Sequence, residues 1–179
     1  VVELRVEILI AGRGGQGILL AGHIIGKSIA TYTNLYVLGS ETYGAETRGG
    51  DTRTDLIVAD EEEEADFVKV MEADIALVMN QTQLNSYGSL IKDGALVFLD
   101  KSNVYSIPQR SWRVFLEPYT DIAEKEYGTT RVANMVALGH LVKQTSLVSA
   151  EAVEKVIRET VSKDWVDVNI RAFRHFLSR

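Results

Sequence analysis

The stretch Val6-Glu7-Ile8-Leu9-Ile10-Ala11-Gly12-Arg13-Gly14-Gly15-Gln16-Gly17 narrows the folds open to this chain more than any other. Val6 to Ile10 is rich in β-branched and aliphatic residues and reads as a short buried strand. Ile18 to Ala30 carries apolar residues at Ile18, Leu19, Ala21, Ile25 and Ile29, close to helical spacing. Between them, Gly12, Gly14 and Gly17 make a G-x-G-x-x-G turn in the strand–turn–helix context that gives the pattern meaning. Glycine suits such a turn because the chain must bend sharply and let a ligand approach the backbone with no Cβ in the way. The helix that follows aims its free N–H groups and positive dipole end at the loop, which favours an anion. The plainer alternative is a tight β–α turn that binds nothing.

Downstream, Leu35 to Leu38 reads as a second strand ending at Gly39-Ser40, followed by a polar, glycine-punctuated loop from Glu41 to Gly50. Asp51 to Ala59 resumes as a strand, and the acidic run Asp60 to Glu64 reads as a solvated loop leading into a short helix. Ile75 to Met79 is wholly apolar, as expected of a central parallel strand covered on both faces. Gln81 to Ile91 reads as a helix stopped by Lys92-Asp93-Gly94, Ala95 to Leu99 as the next buried strand, and Trp112 to Leu116 as one more. Asp121–Tyr127, Val132–Lys143, Ala150–Val161 and Val166–Leu177 all read as helices. The pattern predicts one α/β domain over 1–179: a Rossmann-like, doubly wound, mainly parallel sheet with C-terminal helices.

Composition removes several functions. The chain has no cysteine, so it holds neither a disulfide nor a cysteine-ligated iron–sulfur cluster. A formal charge of −6 with no Lys/Arg cluster argues against nucleic acid and anionic membranes as partners. No apolar run approaches the roughly 20 residues needed to span a bilayer. Glu3, Arg5 and Glu7 break any signal-peptide core at the start, so a cytoplasmic location is expected. His23, His140 and His175 lack metal-ligand spacing and read as surface or helix-packing residues. Asp51, Asp55 and Asp60 lack the glycine and terminal glutamate of a calcium loop.

A dinucleotide is the commonest ligand of such a turn. It asks for an acid at the tip of the second strand, whereas here that tip is Leu38-Gly39-Ser40 and the first acid is Glu41. Polar Gln16 also stands where a small or apolar residue is usual. The segment Tyr43-Gly44-Ala45-Glu46-Thr47-Arg48-Gly49-Gly50 offers a second constellation. Its Glu46 and Arg48 either tie the loop down, or Arg48 forks onto a carboxylate or phosphate.

Together, Gly12-Arg13-Gly14-Gly15-Gln16-Gly17 and Ser40-Glu41-Thr42-Tyr43-Gly44-Ala45-Glu46-Thr47-Arg48-Gly49-Gly50 resemble the signatures of the gamma subunit of 2-oxoacid:ferredoxin oxidoreductases. The resemblance continues through Asn134-Met135-Val136-Ala137-Leu138-Gly139 and the N-x-x-A-F helix Val168-Asn169-Ile170-Arg171-Ala172-Phe173, and so covers essentially the whole chain. It implies a domain packed against catalytic alpha and beta subunits and a ferredoxin-like subunit. Ferredoxin would be the acceptor, and thiamine diphosphate and iron–sulfur clusters would be carried by the partners. The chain shows no G-D-G stretch with a downstream Asn-Asn pair, the thiamine-diphosphate signature of the catalytic partner. The resemblance implies that this chain shapes the active-site entrance and contacts coenzyme A, in oxidative decarboxylation of a 2-oxoacid, with 2-oxoglutarate favoured over pyruvate or branched-chain substrates. Carried over by position, Gly12, Gly14, Gly15, Gln16 and Gly17 form the first loop. Ser40, Tyr43, Glu46, Arg48, Gly49 and Gly50 form a second beside it, with Asn134 accompanying them. Thr47 and Asp51-Thr52-Arg53-Thr54 depart from the family pattern. The competing reading is a stand-alone Rossmann nucleotide-binding or redox-sensing module.

Overall fold

The computed structural model describes residues 3–45, 49–65 and 69–179. Its centre is a six-stranded sheet with spatial order β2-β3-β1-β4-β5-β6. The strands are β1 (Arg5–Arg13), β2 (Tyr36–Tyr43), β3 (Asp51–Ala59), β4 (Ala73–Val78), β5 (Ile91–Asp100) and β6 (Arg113–Glu117). Pairing is parallel from β1 through β4 and β5 to β6, whereas β3 runs antiparallel to both of its neighbours. The mainly parallel α/β sheet expected from the sequence is therefore present, with β3 as its exception. The connection from β2 explains that exception: too few residues lie between Tyr43 and Asp51 for a parallel crossover, which takes about a dozen or more.

Helices α1 (Ile18–Tyr32), α3 (Tyr119–Tyr127), α4 (Ala133–Thr145), α5 (Ala150–Thr160) and α6 (Val166–Phe173) pack on one face, around Ile8, Ile10, Leu77 and Phe98. The other face carries α2 (Gln81–Tyr87), Val70 and the irregular stretch through Val104 to Trp112. Strands buried on both faces read as continuous apolar runs, and β4 and the end of β5 do so. Two of the family-like motifs meet in the helical layer. A Cβ on Gly139 of α4 would lie 1.8 Å from the carbonyl oxygen of Phe173, so α6 closes onto α4 only because that position is glycine.

Several boundaries differ from the sequence reading, and β1 itself runs on past Ile10 to Arg13. β2 extends to Tyr43, because Glu41, Thr42 and Tyr43 pair with Thr54, Arg53 and Thr52 instead of opening the loop at Glu41. The helix from Gln81 stops at Tyr87, not Ile91. Gly88–Leu90 forms a 3₁₀ turn, and Ile91 is already a fully buried strand residue, so Lys92-Asp93-Gly94 lies within β5. The last helix ends at Phe173 rather than Leu177. Glu61, Glu62 and Glu63 of the acidic run are exposed, and the run contains a 3₁₀ turn at Glu62–Glu64.

Candidate functional site

The chain leaves β1 toward β3 and β2 on one side and returns through β4 on the other, so the carboxyl end of β1 is the topological switch point of the sheet. In open α/β sheets that crevice is where ligands bind. The glycine turn occupies it. Arg13 still pairs with Asp51, after which Gly14 N–H donates to the Gly50 carbonyl at 2.7 Å and Arg13 Nε donates to the Gly49 carbonyl at 3.4 Å. The first glycine segment and the described part of the second thus lie against each other through their backbones. A Cβ on Gly14 would sit 3.4 Å from Gly49 N, so small side chains set this approach.

Gln16 fixes the turn from inside. Its Oε1 accepts from Arg13 N–H at 2.7 Å and its Nε2 donates to the Met79 carbonyl, just past β4, at 3.0 Å. Gly17 caps α1 at φ 70°, a left-handed conformation, and no side chain caps the first turn of that helix. Asn134, 2% exposed, donates from Nδ2 to the Gly17 carbonyl at 3.0 Å and accepts from Met135 N–H at 2.9 Å, docking α4 on the turn. The resulting cleft, about 410 Å³, is lined by Arg13, Gly14, Gly15, Gly17, Tyr43 and Asn134, together with Ile18, Leu19, Leu20, Thr52 and Arg131. It therefore combines backbone donors, two guanidinium groups, an exposed tyrosine and an apolar wall.

Most of the sequence candidates converge here, but not all. Gly12 packs inward, where a Cβ would clash with Gln16 Oε1 and Ile18. Ser40 lies on β2 and lines a different, larger groove of about 620 Å³ between α1 and β2, beside His23, Lys27 and Glu41. Glu46 and Arg48 fall outside the described residues. Arg131 was not singled out from the sequence. It opens no motif, and only its place just ahead of Asn134 on the way into α4 brings it to the cleft.

A polar network behind the second glycine segment accounts for the departures noted at 51–54. Asp51, Arg53 and Asp55 share the β3 face that packs toward α2. Gln83 Nε2 donates to Asp51 Oδ1 at 3.1 Å, and the Tyr87 hydroxyl donates to the other carboxylate oxygen. Arg53 forks onto Asp55 at 2.5 and 2.7 Å, donates to the Val70 carbonyl at 3.1 Å and lies over the Tyr87 ring at 4.7 Å. Val70 N–H returns a bond to Asp55 at 3.0 Å. Burial, and then the hydrogen bond to Asp51, push the Tyr87 phenol up to about 12. At the same sheet edge, Asp100 is fully buried and accepts from Ser102 and Thr120 backbone N–H, Asn103 Nδ2 and Thr120 Oγ1, which makes it a structural carboxylate.

Known proteins resemble this chain over nearly its whole length. The model of the family described as pyruvate ferredoxin/flavodoxin oxidoreductase matches residues 7–177. The chain is 37% identical over 174 residues to the 2-oxoglutarate synthase subunit KorC of Methanocaldococcus jannaschii, covering 96% of this chain and 92% of the relative. It is 26% identical over 191 residues to the indolepyruvate oxidoreductase subunit IorB of Archaeoglobus fulgidus, covering 96% and 93%. Among solved structures, the gamma subunit of a keto/oxoacid ferredoxin oxidoreductase from Geobacter sulfurreducens superposes with a TM-score of 0.82 at 31% identity, over 94% of each chain.

Proposed function

The chain belongs to the pyruvate ferredoxin/flavodoxin oxidoreductase family, and from that premise we propose that it serves as the gamma subunit of a thiamine-diphosphate-dependent, coenzyme A-using enzyme that oxidatively decarboxylates 2-oxoglutarate. Its partners are catalytic alpha and beta subunits and a ferredoxin-like subunit, working in the cytoplasm with ferredoxin as acceptor. In such a complex, thiamine diphosphate held by the partner subunits would supply the electron sink for decarboxylation, and clusters in the partners would supply the route for the electrons. A chain without cysteine leaves those clusters to its partners.

This chain's part is to hold coenzyme A at the entrance. The observation that carries this is the joining of the two glycine segments, Gly14 N–H to Gly50 carbonyl at 2.7 Å, under a cleft flanked by Arg13 and Arg131. Uncapped N–H groups at the start of α1 and two guanidinium groups supply donors for a phosphate, while Leu19, Leu20 and Tyr43 offer apolar contact to the rest of the molecule. Packing this edge against the catalytic subunits also excludes water from the reacting carbon.

The test uses the assembled complex carrying Arg13→Gln or Arg131→Gln. Loss of a charge-assisted contact raises the coenzyme A KM about tenfold, with the KM for the 2-oxoacid unchanged. An unaltered coenzyme A KM in both variants overturns the assignment. The 2-oxoglutarate preference rests on the KorC relatives and is read from kcat/KM across 2-oxoglutarate, pyruvate and branched-chain oxoacids. A higher value with pyruvate removes it.

A further inference from the structure

A pocket of about 280 Å³ lies between the end of α3 and the turn after α6, lined by Tyr127, Arg171, Arg174, His175, Ser178 and Arg179. No Asp or Glu side chain lines it, in a chain whose formal charge is −6. Its hydrogen-bond directions follow from His175, which is only 7% exposed. The imidazole Nδ1 lies 2.8 Å from the Tyr127 hydroxyl, and Nε2 lies 3.3 Å from Arg179 Nη1. A guanidinium only donates, so Nε2 must accept. In the neutral ring the proton then sits on Nδ1 and is donated to the Tyr127 oxygen. Burial, and then the charge of Arg179, hold His175 below its usual pKa, with Glu126 opposing weakly, which favours that neutral ring. The Tyr127 O–H is left to donate elsewhere, and among the described residues no acceptor meets it.

The arginines also keep donors to spare. Arg171 gives Nε to Asp167 at 2.9 Å, which leaves both its Nη groups. Arg174 gives Nε and Nη2 to Glu154 at 2.6 Å each, which leaves Nη1. Lys143 donates to the backbone oxygen of Arg179 and holds that residue in place. Three arginines and two hydroxyl side chains therefore line one small space that no Asp or Glu side chain lines.

We propose that this pocket binds a phosphate group, either the free ion or the end of a phosphomonoester. The spare N–H groups on the Nη atoms of Arg171 and Arg174, with the Tyr127 hydroxyl, outnumber the roughly four lone-pair sites of a carboxylate and suit a tetrahedral oxyanion. The site lies apart from the glycine-turn cleft, shares no lining residue with it, and does not depend on the function proposed above.

The test is a titration of the full chain with inorganic phosphate at constant ionic strength, followed by the His175 imidazole resonances. A saturable one-site shift is expected, weakened about five- to tenfold by Tyr127→Phe and by Arg179→Gln. Lys69→Gln, an exposed residue beside Val70 on the opposite face of the sheet, leaves it unchanged, and circular dichroism checks that each variant is folded. Acetate in place of phosphate should bind more weakly. Adenosine 5′-monophosphate binding as tightly as phosphate identifies a phosphomonoester as the source, and binding of phosphate alone identifies the free ion; both uphold the site. A non-saturating response, acetate binding as tightly as phosphate, or folded Tyr127→Phe and Arg179→Gln variants that bind like the parent would overturn it.

Discussion

The side chain of Gln16 joins the turn after β1 to the end of β4: Nε2 donates to the Met79 carbonyl at 3.0 Å while Oε1 accepts from Arg13 N–H at 2.7 Å. Asp51, at the start of β3, is held by Gln83 and Tyr87 of α2, which begins two residues after Met79. Both glycine segments are therefore anchored to one short stretch, residues 79–87, although they belong to different strands. Movement of α2 would shift the two together.

Gln16→Leu keeps the volume but leaves a buried carbonyl and a turn N–H without partners. The expected cost is about 1–3 kcal/mol in urea unfolding. Gln16→Glu keeps the acceptor for Arg13 but sets a carboxylate against the Met79 carbonyl, and it should be no better than leucine at neutral pH. A midpoint equal to the parent's in both variants would show that the turn does not need this staple.

Gly15 and Gly17 make an internally controlled pair. Both have left-handed φ, at 92° and 70°, but a Cβ on Gly15 meets nothing within 4 Å, while one on Gly17 would lie 2.3 Å from Asn134 Nδ2. Gly15→Ala should cost about 1–2 kcal/mol, the backbone penalty alone. Gly17→Ala should cost clearly more, and adding Asn134→Ala should return part of the difference. That return is the non-additivity of a double-mutant cycle in chemical denaturation.

What could be read from the sequence follows local signals. The glycine turn announced itself because strand, turn and helix patterns succeed one another within a few residues. The direction of β3 did not. Asp51 to Ala59 looks the same in either sense, and only the shortness of the connection from Tyr43 forces a hairpin. Asp51, Arg53 and Asp55 alternate with period two, which on a strand usually marks a face turned to water. Here that face lies beneath α2, and the charges satisfy one another. Arg131 reaches the cleft by tertiary placement, which no motif encodes. The loop pair was legible as two neighbouring glycine segments, but the hydrogen bond between Gly14 and Gly50 required the fold.

Tyr87 offers a spectroscopic reading of the network behind the second segment. With its phenol pushed up to about 12, Tyr87 should ionise late, as should Tyr119 and Tyr127, which burial also raises, after exposed tyrosines have titrated near their usual value of about 10. Tyr87→Phe should reduce the late part of the ultraviolet titration by one tyrosine, and it leaves Asp51 with Gln83 as its remaining side-chain donor. A loss of about 1–3 kcal/mol should accompany it. A late step of equal size in the parent and in folded Tyr87→Phe would contradict the hydrogen bond.

His140 sets a limit on stability toward acid. It sits in the helical layer, 6% exposed, with Nδ1 2.9 Å from the Tyr119 hydroxyl and its ring stacked on Phe176 at 4.3 Å. Burial, and then the charge of Lys143, lower its pKa from 6.5 to about 4. Between those values the unfolded chain binds a proton that the folded chain refuses, so the unfolded state gains as pH falls. Stability is therefore undiminished above about pH 6.5 and declines toward pH 4, by an amount of order 3 kcal/mol for this group. His175, also lowered, acts in the same sense. Replacing His140 by glutamine keeps an acceptor for Tyr119 and removes the titration. The parent should then lose about 2–3 kcal/mol more than His140→Gln between pH 7 and pH 4.5 in urea unfolding, and parallel losses in the two proteins would mean that His140 is protonated inside the fold.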